Sequence, residues 1–114
     1  AALCRQYGAQ AGDFLTVCDD ADLRLGRVRI RGCGGPGGHN GLKSVSQALG
    51  SDEYPRLRIG VGTPPEQADL SEWVLSPMSV EDEDVILGLL PNLVKGVEVW
   101  GSKGIETAMN EFNR

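Results

Sequence analysis

Histidine occurs once in these 114 residues, at His39, and cysteine three times, at Cys4, Cys18 and Cys33, with no Cys-x-x-Cys spacing. Zinc sites are built from several such ligands in close order, so no convincing metal site can be assembled, and none is expected. The odd cysteine count also excludes a fully paired disulfide framework and points to free, buried thiols in a reducing compartment. No apolar run approaches the roughly 20 residues that cross a bilayer, and no signal-peptide pattern occurs within the sequence. Positive charge is scarce as well: 11 Lys and Arg stand against 16 Asp and Glu, a net charge of −5. Taken over the whole chain, that balance argues against nucleic acid.

The distribution of charge says otherwise. Residues 1–60 carry eight basic against six acidic side chains, residues 61–114 three against ten, and seven of the basic residues fall between Arg24 and Arg58. The field that a phosphate meets is local within a Debye length, so an acidic protein can hold a basic binding surface. These basic residues flank what the chain has in abundance, glycine, which is concentrated in Gly34–Ser44, GGPGGHNGLKS. Glycines allow sharp turns and close approach to a ligand. Asn40, just before a helical run, is a good N-cap, and helix N-termini attract anions. The string therefore presents an imidazole and a carboxamide where a phosphate or carbonyl could bind. By spacing alone it matches neither a P-loop nor a dinucleotide fingerprint, and a capped strand-to-helix connection with an incidental histidine is the competing reading.

At 114 residues and 40% hydrophobic composition the chain suits one domain with a single modest core, spanning residues 1–114. Ala1–Ala9 reads as a helix end with Gly8 near its stop. Asp13–Asp19 reads as a buried parallel strand, with Asp19, Asp20 and Asp22 at its carboxyl end, where open α/β sheets bind ligands. In Arg27–Arg31 the arginines alternate with Val28 and Ile30 and share one face. A helix over Leu42–Leu49 ends at Gly50, and a strand over Leu57–Val61 is broken by Thr63-Pro64-Pro65. Ser79 opens a capping box, and apolar residues then recur at helical spacing from Val85 to Trp100, with Pro91 expected to kink or divide the helix. A last helix covers about Gly104–Phe112. The expected fold is α/β, a single domain with a mixed, mostly parallel twisted sheet flanked by helices.

Gly37–Ser44 (GGHNGLKS) and Arg56–Pro64 (RLRIGVGTP) resemble the bacterial-type peptidyl-tRNA hydrolase family. Thr16–Leu23, Trp73–Pro77 and Ala108–Asn113 agree in order with the same family, so the resemblance covers nearly the whole chain. The family's earlier T-R-H-N segment, which holds its catalytic base, does not occur in this sequence. The expectation is therefore a fragment of a longer product or a shortened relative, N-terminally truncated.

The resemblance implies an enzyme that hydrolyses the ester between a peptide and tRNA, with peptidyl-tRNA as partner, no cofactor and no membrane. It implies a cytoplasmic monomer, completed by the missing segment; an organellar stroma or matrix fits if a targeting segment has been lost. Carried over by motif, Asp19 orients the base, and Asn40, His39, Gly37 and Gly38 bind substrate, without His39 being the main base. Arg31, standing where a Lys is common, would hold tRNA phosphates with Arg58, and Lys43 would add to them. Pro36 replaces a histidine of some relatives. Two other readings remain open, a non-catalytic RNA-binding relative of the splicing-factor kind and a phosphate- or nucleotide-binding α/β module.

Overall fold

The computed structural model describes residues 6–62 and 78–113. Three strands, β1 (Thr16–Asp20), β2 (Val28–Arg31) and β3 (Arg56–Gly60), form a mixed sheet in the order β1-β3-β2. β1 runs parallel to β3, with Thr16 opposite Arg56 and Asp20 opposite Gly60; β2 runs antiparallel to it, with Val28 opposite Ile59 and Arg31 opposite Arg56. Among the described residues, besides a helical end at residues 6–7 that precedes the turn at Gly8, the helices are α1 (Asn40–Leu49), α2 (Val80–Lys103) and α3 (Ile105–Phe112). The expected α/β class with a mixed sheet is what the chain adopts. The first strand begins later than its apolar pattern suggests. Asp13 instead closes a 3-10 turn over Ala11–Asp13, its carboxylate accepting the Gln10 N–H at 2.7 Å. Thr63-Pro64-Pro65 and Trp73–Pro77 lie outside the described residues.

The two-residue period of β3 separates chemistry onto two faces. Leu57 and Ile59 join Ile30, Val99 and Ala108 in the core beneath α2 and α3. Arg56 and Arg58 face the other way, and the register sets Arg31 and Arg29 of β2 directly opposite them. Four arginines thus share one face, which gives the shared arginine face read from Arg27–Arg31 its structural form.

Local signals account for the helix ends. Gly50 terminates α1 in the left-handed region at φ 71°, and Ser79 caps α2 by accepting the Asp82 N–H at 3.2 Å. Pro91 does not divide α2, which continues unbroken to Lys103. Pro91 and Leu87, the residue four positions before it, are both exposed, so the carbonyl deprived of a donor lies on the solvated side of the helix. Two of the three thiols depart from the expectation of burial, Cys18 being half-buried and Cys33 exposed, while Cys4 lies outside the described residues.

Two close fits hold the sheet ends. Gly60 donates to the Arg27 carbonyl at 2.7 Å, and a Cβ there would run into the Arg24 carbonyl oxygen. Glycine in the RLRIG string is therefore required by the turn that crosses the end of β3. At the outer edge of β2, the Asn113 carboxamide acts as a one-residue strand. Its Oδ1 accepts the Ile30 N–H at 2.6 Å and its Nδ2 donates to the Ile30 carbonyl at 2.7 Å.

Candidate active site

β1 delivers consecutive carboxylates, Asp19 and Asp20, to the carboxyl end of a parallel strand pair, and the two do different work. Asp20 makes the turn: Oδ1 accepts the Asp22 N–H at 2.9 Å, and Oδ2 takes an ion pair from Arg58 at 3.3 Å. This relieves Asp19 of a turn-forming role. Its Oδ1 receives the His39 Nε2–H at 3.0 Å. Among the described residues its Oδ2 makes no hydrogen bond.

The glycine loop brings His39 to that carboxylate. His39, in extended backbone geometry, is the N-cap of α1; its Nδ1 accepts the Leu42 N–H at 3.1 Å. Asn40, expected as the cap, is instead the first helical residue. The imidazole takes the cap because nothing lies over the next turn: a Cβ on Gly41 would stand 2.9 Å from His39 Cε1. With Nδ1 accepting and Nε2–H donating, the neutral ring has no lone pair left to take a proton.

Asp19, Asp20, Asp22, Cys18, Arg58, Leu42 and the loop Gly35–Gly41 line one cleft of about 320 Å³. Of the residues singled out from sequence, Asp19, Gly37, Gly38, His39, Asn40 and Arg58 meet there. Arg31 is exposed on β2, diagonal to Arg58 on the same sheet face, and Lys43 is exposed on α1; neither lines the cleft. Pro36, the departure noted in the loop, lines it too. Burial pushes the Cys18 pKa up and Asp19 and Asp20 push the same way, while Arg58 and Arg56 pull against them. Among the described residues no cluster of three or more His, Cys, Asp or Glu is placed to hold a metal ion. Nor is any helix of the described residues long and apolar enough to cross a membrane.

Arg56 went unassigned in the sequence, although it lies in the quoted string. Its side chain is fully buried. It lies 4.2 Å from the Tyr54 ring centroid, and donates to the carbonyls of Asp52 at 2.8 Å and Gly35 at 3.3 Å. The guanidinium thus braces the glycine loop against the segment after α1. Tyr54 completes the brace by donating to the Leu42 carbonyl at 3.2 Å, with Ser46 Oγ at 2.8 Å. The signal available in sequence was the period of two, which puts Arg56 on the face of Arg58.

Such an arrangement can hold a carboxylate ready for an imidazole, offer a carboxamide and helix N–H groups to a carbonyl or oxyanion, and present guanidinium to a phosphate. Known proteins carry the same architecture. The peptidyl-tRNA hydrolase of Symbiobacterium thermophilum is 43% identical over 113 residues, covering 99% of this chain and 60% of that protein. That of Synechococcus sp. (strain JA-2-3B'a(2-13)) is 45% identical over 107 residues, covering 94% of this chain and 48% of that one. The crystal structure of peptidyl-tRNA hydrolase from Acinetobacter baumannii superposes with a TM-score of 0.87 at 27% identity, covering 98% of this chain and 57% of that one. The chain thus spans about half to three-fifths of the length of these relatives. The family model described as peptidyl-tRNA hydrolase matches residues 1–114, and with relatives this similar along almost its whole length the chain belongs to the peptidyl-tRNA hydrolase family.

Proposed function

We propose that this chain carries one side of a peptidyl-tRNA hydrolase site, and that the protein frees tRNA for translation by hydrolysing the ester joining a peptide to the 3′ ribose. The observation that carries the reading is the single cleft in which Asp19, His39, Asn40, the glycine loop and Arg58 meet. Water adds to the ester carbonyl as a base takes its proton; the tetrahedral oxyanion then collapses and the ribose 3′ oxygen leaves with a proton. The family resemblance assigns the base to a histidine outside these 114 residues, and His39, with both ring nitrogens engaged, does not replace it. Asp19 orients that base and stabilises its imidazolium. Asn40, whose carboxamide makes no hydrogen bond to the described residues, binds the ester or the attacking water. Ester hydrolysis consumes only water, so the reading calls for no cofactor. It makes the protein a cytoplasmic monomer acting on peptidyl-tRNA.

Arg31, Arg58 and Lys43 hold the tRNA backbone in this reading. Titrating tRNA into the chain over a range of salt tests it. Arg31→Ala and Arg58→Ala should each lower the salt slope by about 1, the release expected for one phosphate contact. Arg58→Ala should cost more affinity, because it also unmasks Asp20. Unchanged slopes in both variants would return these arginines to a structural role. Binding without turnover, once the chain is preceded by the family's whole N-terminal segment, T-R-H-N included, would favour the non-catalytic RNA-binding relative.

A further inference from the structure

We propose that His39 is a positioning residue that acts through Asp19 and does not touch substrate: its neutral ring, protonated on Nε2, ties the start of α1 to the Asp19 carboxylate. The catalytic meaning of this tie rests on the hydrolase reading; the tie itself does not.

Three observations lead to it. The Leu42 N–H points at Nδ1 from 3.1 Å, so Nδ1 carries no proton. The proton then sits on Nε2 and is donated to Asp19 Oδ1 at 3.0 Å. Gly41 leaves open the space over which the ring folds; a Cβ there would lie 3.2 Å from Nδ1. Capping alone does not call for histidine, since Asn, Ser or Asp caps a helix at least as well. Those side chains are too short to cap α1 and also reach a carboxylate 20 residues back in sequence. The ring does both, and so sets the spacing between Asp19 on β1 and Asn40 on α1, two groups that line the same cleft. Protonating the ring would turn Nδ1 into a donor facing the Leu42 N–H, so the two-sided tie exists only while the ring is neutral. The other charged or titratable groups around it are Cys18, Asp20, Asp22 and Arg58 in the cleft and Lys43 on α1. Of these, Asp20 and Arg58 are engaged with each other.

The chain's single histidine makes the test direct. In the ¹⁵N-labelled 114-residue protein, ring-nitrogen NMR should report one neutral tautomer with the proton on Nε2. His39→Asn keeps a capping side chain, so Leu42 amide exchange should stay within about twofold of the parent. In the same variant the Asp19 side chain should pass from one rotamer to an average, read from its α–β proton couplings. His39→Ala, which loses both bonds, should speed Leu42 exchange by roughly 2- to 30-fold, the loss of one cap. In the chain preceded by the family's whole N-terminal segment, His39→Asn should lower kcat at unchanged KM. A proton on Nδ1, or an Asp19 rotamer indifferent to His39→Asn, overturns the tie. A raised KM at unchanged kcat overturns the positioning role in favour of substrate contact. The NMR measurements need no tRNA, so a chain that shows the tie yet fails to bind tRNA refutes the hydrolase reading alone.

Discussion

Removing the Asn113 carboxamide should destabilise this fold far more than loss of an ordinary surface polar group would. The amide satisfies both backbone groups of Ile30, a residue with no exposed surface, through bonds of 2.6 and 2.7 Å. Asn113→Ala leaves that N–H and that C=O without partners, and each orphaned buried group costs about 1–3 kcal/mol. β2 is an outer strand and the contact is only part-buried, so water recovers some of the loss, leaving about 2–4 kcal/mol. For a domain near this size that corresponds to a fall in Tm of roughly 10–20 °C. Asn113→Asp should be no better than alanine. It keeps an acceptor for the Ile30 N–H but sets a carboxylate oxygen against the Ile30 carbonyl. Urea and thermal melts of the three proteins measure this, with the m-value expected to stay constant. A loss under about 0.5 kcal/mol in Asn113→Ala, the range of an ordinary surface change, would refute the edge-completing role.

Gly60→Ala should cost about 1–3 kcal/mol or more, since the added methyl meets backbone at Arg24 and the turn must shift; equal urea midpoints for variant and parent would contradict it. At pH 8 Cys33, which is exposed, should be alkylated well before Cys18. Burial raises the Cys18 pKa and so leaves little thiolate at that pH, and equal rates by peptide mass mapping would contradict that sign.

The parts of the fold that could be read from sequence were those specified within a few residues. The Ser79 cap, the Gly50 stop, the alternation in β2 and the apolar heart of β1 each act over one turn or one strand. The candidate site was legible at the level of strings, because Asp19 at a strand end and the GGHNG loop before a helix are local patterns too. What escaped depends on neighbours that are remote in sequence. The choice of His39 over Asn40 as cap needs Asp19, 20 residues back, to hold the other ring nitrogen. Burial of Arg56 but not Arg58 is decided by the Tyr54 ring and by the carbonyls of Gly35 and Asp52, which no period of two predicts. Asn113 finds Ile30 across 83 positions. Of the kink or break expected at Pro91, the break does not occur: the rule against helical proline assumes a lost bond that matters, and here the affected carbonyl is on the exposed side.

The proposed division of labour between the two carboxylates at the end of β1, in which Asp20 builds the turn and Asp19 is left to serve the reaction, is tested most directly by Asp19→Asn. The measurement is hydrolysis of an N-acetylated aminoacyl-tRNA by the chain preceded by the family's whole N-terminal segment, T-R-H-N included, with kcat and KM resolved separately and folding confirmed by melting. Asparagine keeps the shape and an acceptor for His39 but removes the charge that steadies an imidazolium. In the Asp19→Asn protein kcat should fall at least about tenfold, reaching ~10²–10⁴ if the base is lost outright, with tRNA affinity nearly unchanged. A folded Asp19→Asn protein with undiminished kcat would contradict that division of labour.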